Sequence, residues 1–485
     1  MLLANAAMRP APEAGHGAVY LFYVRCIHCS YFVKNRSFFW AASLYSSSKI
    51  VALMSQPNVL FLNVQLADAF GIRDAQTVNA LRIREGKIAE TGLNLTPEAD
   101  ELVVDGKGAF LSPGWMDMHV HLREPGLEHK ETIKTGCTAA AAGGFTAVAC
   151  MPNTLPPIHS RDVVEYIVNK SAALPVEVYP IGCVSKDRAG KHLAEMGDMK
   201  AGGAVAFSDD GDPVYNAKLM RTALDYATML DMPVINHEED LDLSRPGHMH
   251  EGRVSTRLGL AGTPSIAEEV MIARDILLAE LTGGHVHVAH ISTRRGVEMV
   301  REAKAKGIKV TTEVCPHHFD LTDEEIERSA FDTNYKMHPP LRTADDVEAM
   351  IEGLADGTID AICTDHAPHS VEEKEVEFIY APNGILGLQT AWSVVVKQLL
   401  DTGRMKLPQV LRCLIDAPRT ILRLPVPTLE AGQPANLTLF DTTSSWTYSV
   451  ASNKSKSRNS PYLDQTLKGK AHGIYNRAQW VPNDI

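Results

Sequence analysis

The sequence predicts an α/β protein: a parallel (β/α)8 barrel of the TIM type, with a small β-rich domain formed from both chain ends. Three observations lead there. Between residues 109 and 425, eight short apolar stretches alternate with segments of helical periodicity, the pattern of parallel strands linked by helical crossovers. No glycine-rich dinucleotide turn follows the first stretch, which disfavours the competing doubly wound open sheet. Both flanks carry short β segments broken by turns; residues 80–84 alternate, Glu85-Gly86 turns, and 87–89 return as a hairpin would.

Taken in order, strands are expected at 109–121, 146–153, 176–184, 204–210, 233–238, 285–292, 309–318 and 361–366. Helices are expected at 132–142, 217–230, 265–281, 295–306 and 344–354. The domain limits that follow are 54–108 and 426–485 for the two parts of the β-rich domain and 109–425 for the barrel. Residues 1–53 stand apart, with nine of the chain's 31 aromatics, five basic residues and one acid, Glu13. Acid-poor basic leaders can be transit peptides. The plainer expectation is an N-terminal extension that is not part of the fold, with Met54 as the natural beginning. A CxxC at Cys26 and Cys29 has no second pair at zinc-finger spacing and stays unassigned.

Composition narrows the function. Apolar residues make up 45% and charged residues 22% of the 485, as in ordinary globular proteins. A net charge of -12 argues against a partner of nucleic acid or anionic membrane, which would call for a basic face. Eight cysteines scattered over so long a chain point to buried free thiols in a reducing compartment, hence the cytoplasm, rather than a disulfide framework. There is no uninterrupted apolar run long enough to span a bilayer.

The chemistry gathers at the strand ends, where a barrel of this kind places its active site. Strand one ends in His119-Val120-His121. Residues two apart on a strand share a face, so both imidazoles can close on one cation, with Arg123 on the same face as a fixed positive charge. Alone, two such histidines are more often an ordinary strand. Strand four, however, ends in Ser208-Asp209-Asp210, strand five in Asn236-His237-Glu238, strand six in Ala289-His290, and strand eight in Thr364-Asp365-His366. Three imidazole sites and two carboxylate sites on one rim form a zinc-like ligand mixture. The count suggests two metals: two histidines and an aspartate on one, two histidines on the other, and a shared carboxylate from Asp209 or Asp210. Such a pair can generate hydroxide near neutral pH and polarise a carbonyl, which points to hydrolysis, or its reversal, at an amide-like carbon.

The motifs HVHLREPG, MPNT, FSDDG, AHIS, PPLR and TDHAPH, from about Asn58 onward, resemble the dihydroorotase family, bacterial class I type, of the amidohydrolase superfamily. The resemblance implies zinc-dependent, reversible cyclisation of N-carbamoyl-L-aspartate to L-dihydroorotate in pyrimidine synthesis. It implies that His119, His121 and Asp365 bind one zinc ion, His237 and His290 a second, and that Asp210 rather than Asp209 bridges them. A bridging hydroxide would then be the nucleophile and Asp365 the general acid and base. Arg123, Asn153 and His369 would hold the substrate carboxylate, and the backbone around Asn383-Gly384 the ring. The chain departs from the family pattern at His338, where asparagine is usual at this substrate-contacting position. His317 and His318 are expected to be structural. A homo-oligomer is expected; a partnership with aspartate transcarbamoylase has no motif to carry it. Two alternatives remain. Another cyclic-amide hydrolase, allantoinase- or dihydropyrimidinase-like, would bridge its metals with a carboxylated lysine, yet the nearest one, Lys200, precedes strand four. A non-catalytic scaffold subunit for aspartate transcarbamoylase would have lost ligands that this chain keeps.

Overall fold

The computed structural model describes residues 58–484, so the extension expected over 1–53 lies outside the described residues. The chain first lays down β1 (Asn58–Leu62), β2 (Gln65–Asp68), β3 (Gly71–Ile72), β4 (Ala80–Arg84), β5 (Lys87–Gly92), β6 (Glu101–Asp105) and β7 (Phe110–Pro113). The β4–β5 hairpin pairs Arg84 with Lys87, which leaves Glu85-Gly86 as a two-residue turn. Both turn residues have positive φ, 50° and 75°, the geometry whose twist matches paired strands.

The barrel follows: β8 (Trp115–Val120), β9 (Phe145–Cys150), β10 (Glu177–Gly182), β11 (Ala206–Phe207) and β12 (Val234–Asn236). A separate ribbon of β13 (Met249–His250) and β14 (Gly262–Thr263) precedes β15 (Val286–Val288), β16 (Val310–Val314) and β17 (Ala361–Ile362). The eight barrel strands pair in parallel in chain order, β8 to β17. The ring closes where the His121 amide donates to the His366 carbonyl at 2.9 Å. Helices start where the sequence offers caps: Thr132 and Thr343 close capping boxes before Ile133–Ala142 and Ala344–Asp356, and Asn216 and Thr293 cap Ala217–Met229 and Arg294–Ala305.

After the barrel come β18 (Leu437–Tyr448), β19 (Gln465–Asn476) and β20 (Gln479–Pro482). The two chain ends build the outer sheets together. One has the order β5-β4-β1-β6; the other, β20-β19-β18-β7-β2-β3, interleaves strands from both ends. Their shared core includes Val59, Phe61, Leu81, Leu437, Leu439 and Tyr475. Inside the barrel, Met116, Met118, Ala147, Ile181, Ile235 and Cys363 fill the bore, so it is a packed core beneath the rim.

The strand expected over 109–121 is in fact two strands in different sheets. β7 pairs with β18 and β2, and the chain turns at Gly114 to begin the barrel with β8. A Cβ at Gly114 would lie 1.9 Å from Asn436 Oδ1 and 2.3 Å from Thr146 Oγ1, so only glycine fits this crossing. Trp115, just beyond, packs against Trp392 and Phe440 at centroid distances of 4.8 and 4.9 Å, which ties the first barrel strand to the outer sheet.

Candidate active site

β8 does not deliver its histidines by simple alternation. Between Asp117 and Val120 it runs three residues against two on β9, a bulge that re-aims His119. His121 lies past the strand, on backbone held by the ring closure, and the two rings end 5.5 Å apart. Arg123 has φ of 62°, so it does not continue the strand face as expected. It reaches the site from a turn, with Nε donating to the Pro368 carbonyl at 3.1 Å. His290 and Asp365 also have positive φ, 29° and 46°. Strained backbone at three rim positions is the kind of cost that functional sites carry.

Asp210 organises the centre. Its Oδ2 lies 3.5 Å from His119 Nε2 and 3.6 Å from His121 Nε2. Its Oδ1 lies 3.7 Å from His237 Nδ1 and 3.5 Å from His290 Nε2. Each carboxylate oxygen thus serves one imidazole pair. Asp365 Oδ1 joins the first pair, 2.8 Å from His121 Nε2 and 3.6 Å from His119 Nε2. Asp209 turns away and accepts from the Ser185 amide at 2.9 Å and from the Ser185 hydroxyl.

These residues fit divalent cations. His119 Nε2 and Asp210 Oδ1 are buried without a hydrogen-bond partner. His237 Nδ1 and His290 Nε2 face each other at 3.0 Å, both near the same carboxylate oxygen. Converging lone pairs in a buried pocket are costly without a cation to share them. His119, His121 and Asp365 hold ligand atoms mutually within 4.8 Å, as do His119, Asp210 and His290. Burial opposes the charge on Asp210, but the surrounding imidazoles of His119, His237 and His290 outweigh it and hold the carboxyl well below its usual range. Asp365 is likewise lowered against burial by His121 and His119. Both are therefore anionic, as metal ligands must be.

The imidazoles are oriented from behind by Glu313, Asp117 and Glu239, which sequence reading missed, and by Asn153, which it assigned to the substrate. His119 Nδ1 lies 2.6 Å from Glu313 Oε1 on β16, and the His119 amide donates to Asp117. Such a carboxylate fixes the tautomer that turns Nε2 toward a metal. A charged residue in the otherwise uncharged run 310–315 was the available signal for Glu313. His121 Nδ1 lies 2.7 Å from Asn153 Oδ1, and Glu239 receives both His338 Nε2 at 2.9 Å and, more distantly, His237 Nε2 at 3.6 Å.

A cavity of about 220 Å³ opens above the cluster, lined by Arg123, Asn153, His338, His369, Asn383 and Gly384. His121, Asp210, His237, His290 and Asp365 form its floor and sides. Burial lowers the Arg123 guanidinium to about 10, which leaves it cationic at neutral pH. His369 is pushed down to about 3 by burial and by Arg123, so it is neutral, with Nε2 2.8 Å from the Asn383 carbonyl. His338 stacks on His237 at 4.9 Å. His317 and His318 lie buried beside the site, and His318 Nε2 bonds the Pro339 carbonyl at 2.9 Å.

A parallel barrel with four imidazoles and two carboxylates converging at its C-terminal rim defines a metal-dependent hydrolase of the amidohydrolase type. Comparison with known proteins narrows the class. A family model described as "Dihydro-orotase-like" matches residues 108–296. The chain is 50% identical over 394 residues to the dihydroorotase of Anaeromyxobacter dehalogenans (strain 2CP-C), covering 81% of this chain and 91% of that protein. It is 53% identical over 387 residues to the dihydroorotase of Pelotomaculum thermopropionicum, covering 80% and 90%. Among solved structures, L-hydantoinase (dihydropyrimidinase) from Arthrobacter aurescens superposes with a TM-score of 0.78, covering 88% of this chain and 96% of that one. At 24% identity that likeness establishes the fold alone. The chain belongs to the dihydroorotase family.

Proposed function

We propose that this chain is a dihydroorotase that interconverts N-carbamoyl-L-aspartate and L-dihydroorotate, releasing water on ring closure, in de novo pyrimidine synthesis. The observation that carries the mechanism is the divided carboxylate of Asp210, one oxygen toward each imidazole pair. On this reading His119, His121 and Asp365 would hold one zinc ion, His237 and His290 a second, and Asp210 both. Ions so held supply a water of lowered pKa and polarise an amide carbonyl.

The remaining work falls to side chains. Asp365 spends Oδ1 on the imidazoles. Its Oδ2 takes the proton of the attacking water during ring opening and passes it to the leaving ring nitrogen; closure runs the same transfers backward. Arg123 offers a fixed fork to the substrate carboxylate. Asn153, whose Oδ1 serves His121, offers its amide N–H to the same anion, and His369 would complete that contact by turning its one N–H from the Asn383 carbonyl to the substrate. Asn383 and Gly384 meet the ring through their backbone. Glu239 holds His338 over the ring's edge, in place of the family's asparagine.

A lysine-bridged cyclic-amide hydrolase is disfavoured, because Lys200 Nζ is spent on the Leu230 carbonyl, away from the cluster. Six buried free thiols among the described residues support a reducing cytoplasm, and sedimentation would test the homo-oligomer. No helix of the described residues is long and apolar enough to cross a membrane. The decisive experiment assays carbamoyl aspartate, dihydroorotate, hydantoin and allantoin side by side, with metal analysis. Turnover confined to the first pair, with two zinc ions per chain, is expected; preference for hydantoin or allantoin, or activity without metal, would overturn the reading.

A further inference from the structure

Ala367, His369, Asn383 and Gly384 form part of the cavity wall, and the two backbone segments that carry them, 367–369 and 379–384, are held by three side chains that do not line the cavity. We propose that Asn459, Lys374 and Lys336 are positioning residues that fix this wall for recognition of the substrate's carboxylate and ring. This rests on the reading of Arg123, Asn153 and His369 as the carboxylate's contacts.

Asn459 comes from the segment between β18 and β19, 90 residues along the chain from His369. It is buried, and its amide is fully used. Oδ1 accepts from the His369 amide at 3.0 Å, and Nδ2 donates to the Ala367 carbonyl at 2.9 Å and the Gly384 carbonyl at 3.0 Å. One side chain therefore sets the separation of the two segments. The lysines hold the second segment as well, and Lys374 shares the Gly384 carbonyl with Asn459. Lys374 Nζ donates to the Pro382 and Gly384 carbonyls at 2.9 and 3.2 Å. Lys336 Nζ donates to those of Ile379 and Ala381 at 3.0 and 2.8 Å, while its own carbonyl accepts from the Gly384 amide.

Burial of two lysines without a carboxylate partner is expensive, and packing alone would be served by an apolar side chain. Four carbonyls of one six-residue segment receive these donors. That segment presents Asn383, whose carbonyl bonds His369 Nε2, and Gly384. There is no slack between the segments: Gly384 has φ of +119°, and a Cβ there would lie 2.6 Å from Ala367 Cβ. Release of the clamp would let His369 and the ring contacts drift together. A displacement of about 1 Å can cost up to roughly 10²-fold in a positioned reaction.

The test is steady-state kinetics of the full-length, metal-loaded enzyme with dihydroorotate, comparing Lys374→Met and Asn459→Asp with Arg123→Ala and the parent. Asn459→Asp keeps size and shape but replaces the donor with a carboxylate oxygen facing the Ala367 and Gly384 carbonyls, so it opens the clamp by itself and carries the expectation alone should Lys374→Met fail to fold. KM is expected to rise about tenfold in both clamp variants with kcat within about threefold, the signature of lost ground-state positioning. Metal content should stay at the parental value in both clamp variants, and the melting temperature should not fall. Unchanged KM in the clamp variants beside a raised KM in Arg123→Ala overturns the clamp and leaves the carboxylate reading standing. A joint fall of kcat, metal content and melting temperature marks a purely structural role and also overturns it. No dihydroorotate turnover by the parent, or an unchanged KM in Arg123→Ala, overturns the reading beneath it.

Discussion

On the proposed mechanism Asp365 combines two tasks: its Oδ1 lies 2.8 Å from His121 Nε2 on the ligand side, and the carboxylate, which lines the cavity, carries the proton. Asp365→Asn preserves the shape and removes the base. Loss of about 10²- to 10⁴-fold in kcat is expected in both directions, measured by ring opening of dihydroorotate and ring closure of carbamoyl aspartate. Glu313 acts at one remove, through His119 Nδ1. Glu313→Gln should weaken metal binding about 10- to 100-fold in a chelator competition, since the carboxylate sets the basicity of the imidazole. Lys374 carries a pH signature. Burial pushes its amine down from an ordinary 10.5 to about 7. Between those values the unfolded chain keeps the proton that the folded chain has released, so this residue's contribution to stability rises with pH across the window. It is lost as pH falls through about 7. The unfolding free energy of the parent, compared with Lys374→Met by denaturant titration, should therefore improve steadily from neutral to alkaline pH.

At the scale of elements, the first barrel strand shows why periodicity is a partial guide. Alternation along 109–121 pointed to His119 and His121 as a pair on one face. The pair exists because a bulge shifts His119 and because His121 sits beyond the strand. The helices were easier to read: Thr132, Asn216, Thr293 and Thr343 are local caps, and local signals survive in a linear sequence. Gly114 could be seen in the sequence but not its meaning, because the atoms that crowd it belong to Asn436 and Thr146. Gly114→Ala should force β7 and β8 apart and destabilise the fold by about 1–3 kcal/mol, read as a lowered denaturation midpoint.

For the whole molecule, we propose that the catalytic unit comprises the barrel with both flanking β segments, independent of the first 53 residues. A chain beginning at Met54 is then expected to fold and to cyclise carbamoyl aspartate at the parental rate, checked by melting and by assay. Removal of metal by a chelator should abolish activity and lower the melting temperature, and zinc should restore both, because ligand binding to the native state alone stabilises it. The sequence by itself determined the barrel and which histidines and carboxylates come to its strand ends, since each motif sits within a few residues at one strand end. The resemblance favoured Asp210 over Asp209 from the sequence; the tertiary structure showed it turned inward, and brought Glu313 behind His119 and Asn459 and the buried lysines behind the cavity wall. Those contacts join residues far apart in the chain, and their partners exist only once the barrel has closed and the C-terminal strands have packed against it.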